Sequence, residues 1–459
     1  MLVLALAASG CGFFSPSKPA ADAGPKEPSK PAPAATAAAT LEFIHDDYPA
    51  ALAKSRETGK PLFIDFWAPW CHTCRSMNAN VFPDPRLAPM GDRYVFLSVD
   101  TEKKENAEVV ARFPINVWPT LLVVEPKQEK AALRWLGSAS VEQLQALFED
   151  GLLAIKGGDE GHAAVLARAD RLYAEGDAAA ASTLLKQLLE ETPVDWPRRG
   201  RAVETRLMTM ALGAAAAPEA CARFALEELK TLPRSSSWAN AASWGLGCAL
   251  RVEDAPASWV AEVVAPLEQR VQEALGEPTI AMAGDDRAGL YSVWYESRQA
   301  AKDQKGAERV GRQWFDFLQK ARAEAPSPDA RAVFDGHLLW IGLELGEGAR
   351  VRDALIQSEQ ALPQDYNPPA RLALVLKELG DLDGALAASD RALAKVYGPR
   401  KVRVLNDRGE LLLARKDRDG ARAAWTEAIA LIDSLPDGQR SKRERARAQK
   451  QLEATPASK

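Results

Sequence analysis

PLFIDFWAPWCHTC, residues 61–74, joins an apolar run to two cysteines that stand three positions apart. The apolar run predicts a buried strand, and the residues after Cys71 predict the first turn of a helix. The free backbone amide groups at a helix N-terminus favour a thiolate over a thiol. We therefore expect Cys71 to be the nucleophile of a dithiol/disulfide site and Cys74, one turn deeper, to be the resolving thiol.

A cysteine pair at this spacing can also bind zinc or form an inert structural disulfide. A structural zinc site usually uses two such pairs, but the chain has no second Cys-x-x-Cys and has only 4 histidines. We therefore predict no metal site. An inert disulfide is also less favoured, because an exposed turn after a buried strand is typical of a reactive pair.

Three segments extend the pattern and together resemble the thioredoxin superfamily. DFWAPWCHTC (65–74) resembles the active-site strand and turn of that family, and FPINVWPTLL (113–122) resembles the segment that carries its cis-proline. LGS (136–138), followed by the amphipathic run 141–148, resembles its last strand, turn and C-terminal helix. The resemblance implies an α/β thioredoxin fold over residues 41–152.

Two short motifs narrow the resemblance within the superfamily. GKP (59–61) precedes the strand and VFPDP (81–85) follows the active-site turn. Both are most similar to the subgroup that includes the periplasmic C-terminal domain of the membrane thiol-disulfide interchange reductase. The resemblance implies a thiol-disulfide oxidoreductase that uses protein thiols and disulfides as substrates and receives electrons from a membrane or periplasmic donor.

The resemblance also implies roles for residues around the cysteines. Pro119, in the cis form, would present the backbone before it to an extended substrate peptide, and Trp70 and Trp118 would contact that substrate. Asp65 would carry a proton for Cys74. The lysine that accompanies this acid in thioredoxin is replaced by Leu97, so Asp65 is expected to be more fully neutral than its counterpart.

His72 and Thr73 separate the two cysteines and are expected to tune the redox potential. They match neither the usual reductase pair nor the usual oxidase pair of the superfamily. A protonated histidine near the helix N-terminus would stabilise the thiolate and make the disulfide easier to reduce. The resemblance of the whole domain favours the reductase or isomerase direction over the oxidase direction.

The N-terminus predicts export and a lipid anchor. Residues 1–10 form an apolar run that ends in small residues before Cys11, which resembles a bacterial lipoprotein signal peptide with acylation at Cys11. An ordinary cleaved signal is the alternative. Gly12 in the next position favours the outer membrane, with the protein facing the periplasm. Residues 11–40 are rich in Pro and Ala and predict a disordered tether.

Residues 153–435 predict an all-α domain. Ala, Leu, Glu and Arg dominate, and apolar residues recur at spacings of three and four. Similar segments begin at Ala385 and Ala421, 36 residues apart, against the roughly 34 of a tetratricopeptide repeat. We predict a degenerate tetratricopeptide-like solenoid that binds a protein partner, with a partnerless spacer as the alternative. Residues 436–459 predict a charged C-terminal helix or tail.

The remaining cysteines and the overall charge give weaker evidence about structure and function. Cys221 and Cys248 lie on successive predicted helices and could form a structural disulfide or remain buried thiols. A net charge of −5 with interspersed signs argues against nucleic-acid binding, and no cofactor motif is present. The sequence thus predicts an exported, membrane-anchored oxidoreductase. The alternative is a scaffold protein in which the repeats bind partners and the N-terminal domain is a non-catalytic platform.

Overall fold

Five strands form one mixed sheet, in the order β1-β3-β2-β4-β5. β3 pairs in parallel with β1 and β2, whereas β4 pairs antiparallel with β2 and β5. The strands are β1 (Phe43–His45), β2 (Leu62–Trp67), β3 (Val95–Asp100), β4 (Thr120–Glu125) and β5 (Lys130–Leu136). The apolar run before the cysteine pair is therefore the central strand of the sheet.

The central position of β2 follows from its composition, because a strand covered on both faces reads as an almost continuous apolar run. Phe63 faces an aromatic cluster with Phe96 and Phe148 on one side of the sheet. Ile64 packs on the other side with Leu97. Successive side chains of a strand alternate between faces, so β2 contributes to both cores.

Helices cover both faces of the sheet. They are α1 (Tyr48–Thr58), α2 (His72–Ser76), α3 (Ala107–Arg112) and α4 (Val141–Lys156). α2 continues through Val81 as a wider π-type turn. α4 runs to Lys156 and so extends past the predicted domain boundary at 152/153.

The rest of the chain is helical, as predicted. Its helices are α5 (His162–Ala174), α6 (Ala178–Glu191), α7 (Arg199–Leu212), α8 (Pro218–Glu228), α9 (Ser236–Ala249), α10 (Ala265–Gly276), α11 (Gly284–Ala300), α12 (Gln304–Glu324), α13 (Pro328–Ala332), α14 (Asp335–Glu344), α15 (Gly348–Ala361), α16 (Asn367–Glu378), α17 (Leu382–Leu393), α18 (Gly398–Ala414), α19 (Arg418–Ser434) and α20 (Lys442–Ala454). Consecutive helices pack against each other along much of this part. The predicted fold class, an α/β sheet domain followed by an all-α domain, is confirmed.

Close helix packing depends on small residues at the contact points. Ala385 and Ala421, the residues that open the two similar segments, are fully buried. A Cβ on Gly409 of α18 would lie 2.2 Å from Nε1 of Trp425 on α19. Gly409 therefore allows the Trp425 ring to pack directly against the α18 backbone.

A disulfide joins Cys221 of α8 to Cys248 of α9, with their Cα atoms 6.0 Å apart. Both side chains are fully buried. Of the two states that the sequence left open for this pair, the structure contains the bonded one.

The computed structural model describes residues 40–156, 161–212, 217–256 and 258–456. These residues belong to one compact unit. The predicted signal peptide, Cys11 and all of the predicted tether except its last residue lie outside the described residues. Among the helices that are described, none is both long enough and apolar enough to cross a membrane.

Candidate functional site

The cysteine pair lies where the central strand passes into a helix. β2 ends at Trp67, and Cys71 is the residue that caps the N-terminus of α2. Cys71 and Cys74 form a disulfide with their Cα atoms 5.3 Å apart. The backbone amide of Cys74 donates to Sγ of Cys71 at 3.0 Å, a contact that would stabilise a Cys71 thiolate in the reduced protein.

Aromatic side chains surround the pair. The rings of Trp70 and Trp118 lie 5.2 Å apart between centroids. Both indoles are held in place, because Nε1 of Trp70 donates to Glu102 at 2.9 Å and Nε1 of Trp118 donates to Oγ1 of Thr101 at 2.8 Å. The Trp118–Pro119 peptide bond is cis, the form that the resemblance implied.

Asp65 is an isolated acid in the interior of the sheet. Its side chain is 1% exposed, and neither carboxylate oxygen has a hydrogen-bond partner among the described residues. Burial raises the pKa of Asp65 to about 7. A carboxyl group with this pKa can accept and release a proton near neutral pH, as the predicted role requires.

Comparison with known proteins finds a family model that matches this part of the chain. Residues 43–126 match a family model described as thioredoxin-like. The N-terminal part of the chain is a thioredoxin-like domain. The match includes β2, the cysteine pair, the cis-proline and β4.

Relatives of known name match a short part of the chain. The thiol:disulfide interchange protein DsbD 2 of Pseudomonas aeruginosa is 31% identical over 107 residues, which are 22% of this chain and 18% of that protein. The H-type thioredoxin of Oryza sativa subsp. indica is 33% identical over 87 residues, 18% of this chain and 65% of that protein. The chain thus spans less than a fifth of the first relative and under two thirds of the second.

The helical part has a weaker likeness to a solved structure. A tetratricopeptide repeat protein from Parabacteroides merdae aligns with 64% of this chain and 98% of its own, at 10% identity and a TM-score of 0.41. The all-α architecture is therefore shown by the set of helices in this chain and not by this alignment.

The helices fold back onto the thioredoxin-like domain around its cysteine pair. Arg75 of α2 pairs with Asp365 at 2.5 Å. Nδ2 of Asn367 donates to the Pro69 carbonyl at 3.0 Å. Ser138 donates to Asp286 of α11 at 2.5 Å. These contacts bring helical-part residues to α2, to the turn before it and to the loop after β5.

A second group of contacts holds the loop that follows β3. The Tyr397 hydroxyl donates to Asp100 at 2.5 Å, and Nε2 of Gln439 donates to the Thr101 carbonyl at 2.9 Å. The backbone amide of Arg400 donates to Glu102 at 2.6 Å. Within this arrangement the Cys71 side chain is only 5% exposed. The helical part therefore packs against the loops of the thioredoxin-like domain that surround the cysteine pair.

His72 also pairs with the helical part. Its Nδ1 lies 2.8 Å and 3.0 Å from the two carboxylate oxygens of Asp285, and Nε2 of His337 lies 3.1 Å from one of them. Burial alone would lower the pKa of His72, but Asp285 raises it above its ordinary value. His72 therefore carries a larger share of positive charge near Cys71 than a free histidine would.

The same three residues are the one described group that could hold a metal ion. The donor atoms of His72, Asp285 and His337 lie within 4.8 Å of one another, and they are donor types that bind Zn²⁺. The hydrogen bonds between the two histidines and Asp285 use these same donor atoms, so the atoms have partners without a metal ion. The prediction of no metal site rested on the lack of a second Cys-x-x-Cys and on the small number of histidines, and it did not consider a group assembled from separate parts of the chain.

Sequence reasoning placed Cys71, Cys74, Asp65 and Pro119 at one site. In the structure the cysteines follow the end of β2, Pro119 precedes β4, which pairs with β2, and Asp65 lies inside β2. Sequence reasoning missed Asp285 and His337. The two acids that open α11, Asp285 and Asp286, resemble ordinary acids at a helix N-terminus. Nothing in their local sequence indicates that Asp285 contacts a residue 213 positions away or that Asp286 contacts one 148 positions away.

Proposed function

We propose that this protein is a thiol-disulfide oxidoreductase that works in the reductase or isomerase direction. The observation that carries the proposal is the Cys71–Cys74 disulfide at the N-terminus of α2 in a thioredoxin-like domain. Asp65 and the cis peptide bond at Pro119 accompany it. A dithiol/disulfide couple stores the electrons itself, so the proposed reaction needs no bound cofactor.

The proposed cycle begins with the reduced protein. The Cys71 thiolate attacks one sulfur of a substrate disulfide, forms a mixed disulfide and releases the other substrate sulfur as a thiolate. The Cys74 thiol gives its proton to the Asp65 carboxylate and attacks the Cys71 sulfur. The second substrate sulfur leaves as a thiolate. The substrate has gained two electrons, and the protein holds the Cys71–Cys74 disulfide until an external dithiol donor reduces it.

We propose that the reaction takes place in the bacterial cell envelope, with the protein anchored through acylated Cys11 and facing the periplasm. The signal-like residues 1–10 and the tether sequence support this proposal. A second, buried disulfide between Cys221 and Cys248 also fits an oxidising compartment. An electron donor there would keep Cys71 and Cys74 reduced.

A substitution that stops the cycle halfway tests the proposed activity. In the Cys74→Ala variant, Cys71 can still attack a substrate but no thiol remains to resolve the mixed disulfide. We expect this variant, expressed in cells, to accumulate adducts with client proteins that non-reducing electrophoresis separates and that a reductant releases.

The matched control is the Cys71→Ser, Cys74→Ala double variant, which lacks the nucleophile and should form none of these adducts. If Cys74→Ala forms no more adducts than the double variant, the enzymatic proposal is wrong. The low exposure of Cys71 would then favour the alternative function, a scaffold whose helices bind partners.

The direction of electron flow is tested by the redox potential and its dependence on His72. The proposal expects a wild-type potential between about −270 and −180 mV, the range from thioredoxin to protein disulfide isomerase, in equilibrium with glutathione. His72→Gln removes the positive charge that stabilises the thiolate. We expect it to raise the Cys71 pKa and to lower the potential by about 30 mV.

His162→Gln provides the control, because His162 lies on α5 beside Trp196 and away from the cysteines. It should leave the Cys71 pKa and the potential unchanged. A wild-type potential near −120 mV, the oxidase end of the scale, would contradict the reductase direction. An unchanged potential in His72→Gln would contradict the role of the His72 charge.

A further inference from the structure

A cavity of about 540 Å³ lies between the active-site turn and the helical part. Trp70 and His72 form its wall on the thioredoxin-like side. These two residues stand immediately before and after Cys71 in the chain. The cavity therefore lies beside the turn that carries Cys71, although Cys71 itself is not one of its lining residues.

The helical wall of the cavity carries three arginines, Arg371 of α16 and Arg400 and Arg403 of α18. None of the three has a carboxylate within ion-pair distance among the described residues. The wall also contains Glu344 and Asp407, but Asp407 is paired with Arg447 at 2.7 Å. The cavity therefore has an excess of unpaired positive charge.

Arg371 is the most strongly buried of these arginines. It is 8% exposed, and its Nη1 is buried without a hydrogen-bond partner among the described residues. Its Nη2 donates only a long bond, 3.4 Å, to the Trp70 carbonyl. Burial lowers the pKa of Arg371 to about 10, so the guanidinium stays protonated at neutral pH. The acid that acts on Arg371, Asp365, is already paired with Arg75. A buried cation that shares its only acid with another cation is costly, and an anionic ligand would lower that cost.

The neighbouring groups suit an anion attached to a larger molecule. The guanidinium of Arg400 lies over the Trp70 ring, 5.4 Å from its centroid. Arg403 is exposed. Trp340 and Leu374 add apolar surface to the same wall. Ligand sites commonly combine apolar walls with a few polar groups that fix orientation, and a guanidinium matches a carboxylate through two parallel hydrogen bonds.

We propose that this cavity binds a carboxylate carried by the disulfide substrate and so selects acidic disulfides for reduction by Cys71. This inference rests on the proposed oxidoreductase function and names the substrate class of that site. The carboxylate can belong to an acidic residue near a client cysteine or to a small thiol such as glutathione. Arg371 and Arg403 position the substrate, while the electron transfer remains between the sulfurs.

The test compares disulfides that differ only in charge. Two peptides with the same intramolecular disulfide carry either Glu or Gln beside a cysteine, and glutathione disulfide is compared with its carboxyl-amidated form. The rate of reduction by the reduced full-length protein is followed by tryptophan fluorescence at low ionic strength. We expect the Glu peptide to react about tenfold faster than the Gln peptide, and this ratio to fall as salt is added. The glutathione pair distinguishes a small thiol from a peptide as the source of the carboxylate.

Substitutions in the cavity test whether its arginines cause the preference for acidic disulfides. Arg371→Gln should bring the Glu/Gln rate ratio close to one, and Arg403→Gln should lower it. Circular dichroism checks that each variant folds. If Arg371→Gln does not fold, the exposed Arg403→Gln decides the question. Arg312→Gln, on the exposed surface of α12 where Arg312 pairs with Glu308 at 3.0 Å, is the control and should keep the wild-type ratio.

The outcomes distinguish a failure of the cavity inference from a failure of the proposed oxidoreductase function. Equal rates within both substrate pairs, or a ratio that survives Arg371→Gln and Arg403→Gln, would overturn the inference while the oxidoreductase function stands. If none of the four disulfides is reduced, the proposed function fails and the inference fails with it.

Discussion

Asp65→Asn is expected to make the protein more stable above neutral pH and, at the same time, to slow the resolution of its mixed disulfide. Both effects follow from one buried carboxyl group whose pKa is raised by burial from 3.8 to about 7. Asparagine has nearly the same shape as the protonated acid but cannot ionise.

The stability effect follows from the difference in pKa between the folded and unfolded chains. Below pH 3.8 both states hold the proton, and Asp65 contributes nothing. As the pH rises from 3.8 to about 7, the unfolded chain ionises while the folded one stays protonated, so the free energy of unfolding falls. Above about pH 7 the loss is complete and amounts to about 4 kcal/mol.

Asp65→Asn should therefore raise the free energy of unfolding by about 4 kcal/mol at pH 8 and by little at pH 4. Guanidinium unfolding at several pH values measures this difference. Asp92→Asn, at an exposed position before β3, serves as the control and should change little at either pH. Equal stability of wild type and Asp65→Asn at pH 8 would contradict a raised pKa.

The kinetic effect of Asp65→Asn concerns the second half of the cycle. A positioned general base typically contributes a factor of about 10² or more. We expect the mixed disulfide to decay about a hundredfold more slowly in the variant. In the wild type this rate should rise as the pH passes through about 7, and in the variant that rise should disappear. Rapid quench of a single turnover measures the rate, and a wild-type pH profile in the variant would exclude Asp65 as the base.

The second large effect is expected at the Cys221–Cys248 disulfide. The bond closes a loop with a sequence separation of 27 residues. In the loop-entropy model, closing a loop of this size stabilises a fold by about 3 kcal/mol. The Cys221→Ala, Cys248→Ala variant should therefore unfold at a lower guanidinium concentration, and far-ultraviolet circular dichroism of the helices measures this shift.

The control for this variant is the wild-type chain unfolded and refolded under reducing conditions, which keeps both side chains but lacks the cross-link. The double variant is measured under the same conditions as well, so that the Cys71–Cys74 bond is reduced in both chains. The reduced wild type should lose most of the same stability, because the loss comes from the cross-link rather than from packing. If the oxidised wild type and the double variant unfold at the same guanidinium concentration, the bond does not stabilise the helical part. Both cysteines belong to a different hydrophobic cluster from Cys71 and Cys74, so the proposed turnover at Cys71 should not change.

The sheet domain could be predicted from the sequence because its signals are local. The apolar run of β2, the cysteines at the start of α2 and the segment around Pro119 lie within short stretches whose periodicity and turn residues specify their own conformation. The presence of a helical part after residue 153 was equally predictable from spacings of three and four. The state of Cys221 and Cys248 was not predictable, because a disulfide requires Cα atoms close together, here 6.0 Å apart.

The sequence by itself located the cysteine pair and the buried acid, since both belong to one strand-turn-helix unit. Only the tertiary structure decided what surrounds them. Asp285 and Arg371 reach the active-site turn from more than 200 residues away. Contacts between residues so far apart in the chain produce no repeating pattern in the sequence, because they depend on the curvature of the stacked helix pairs. The charge beside Cys71 and the cavity next to it are therefore products of helix packing, while the redox couple is a product of local sequence.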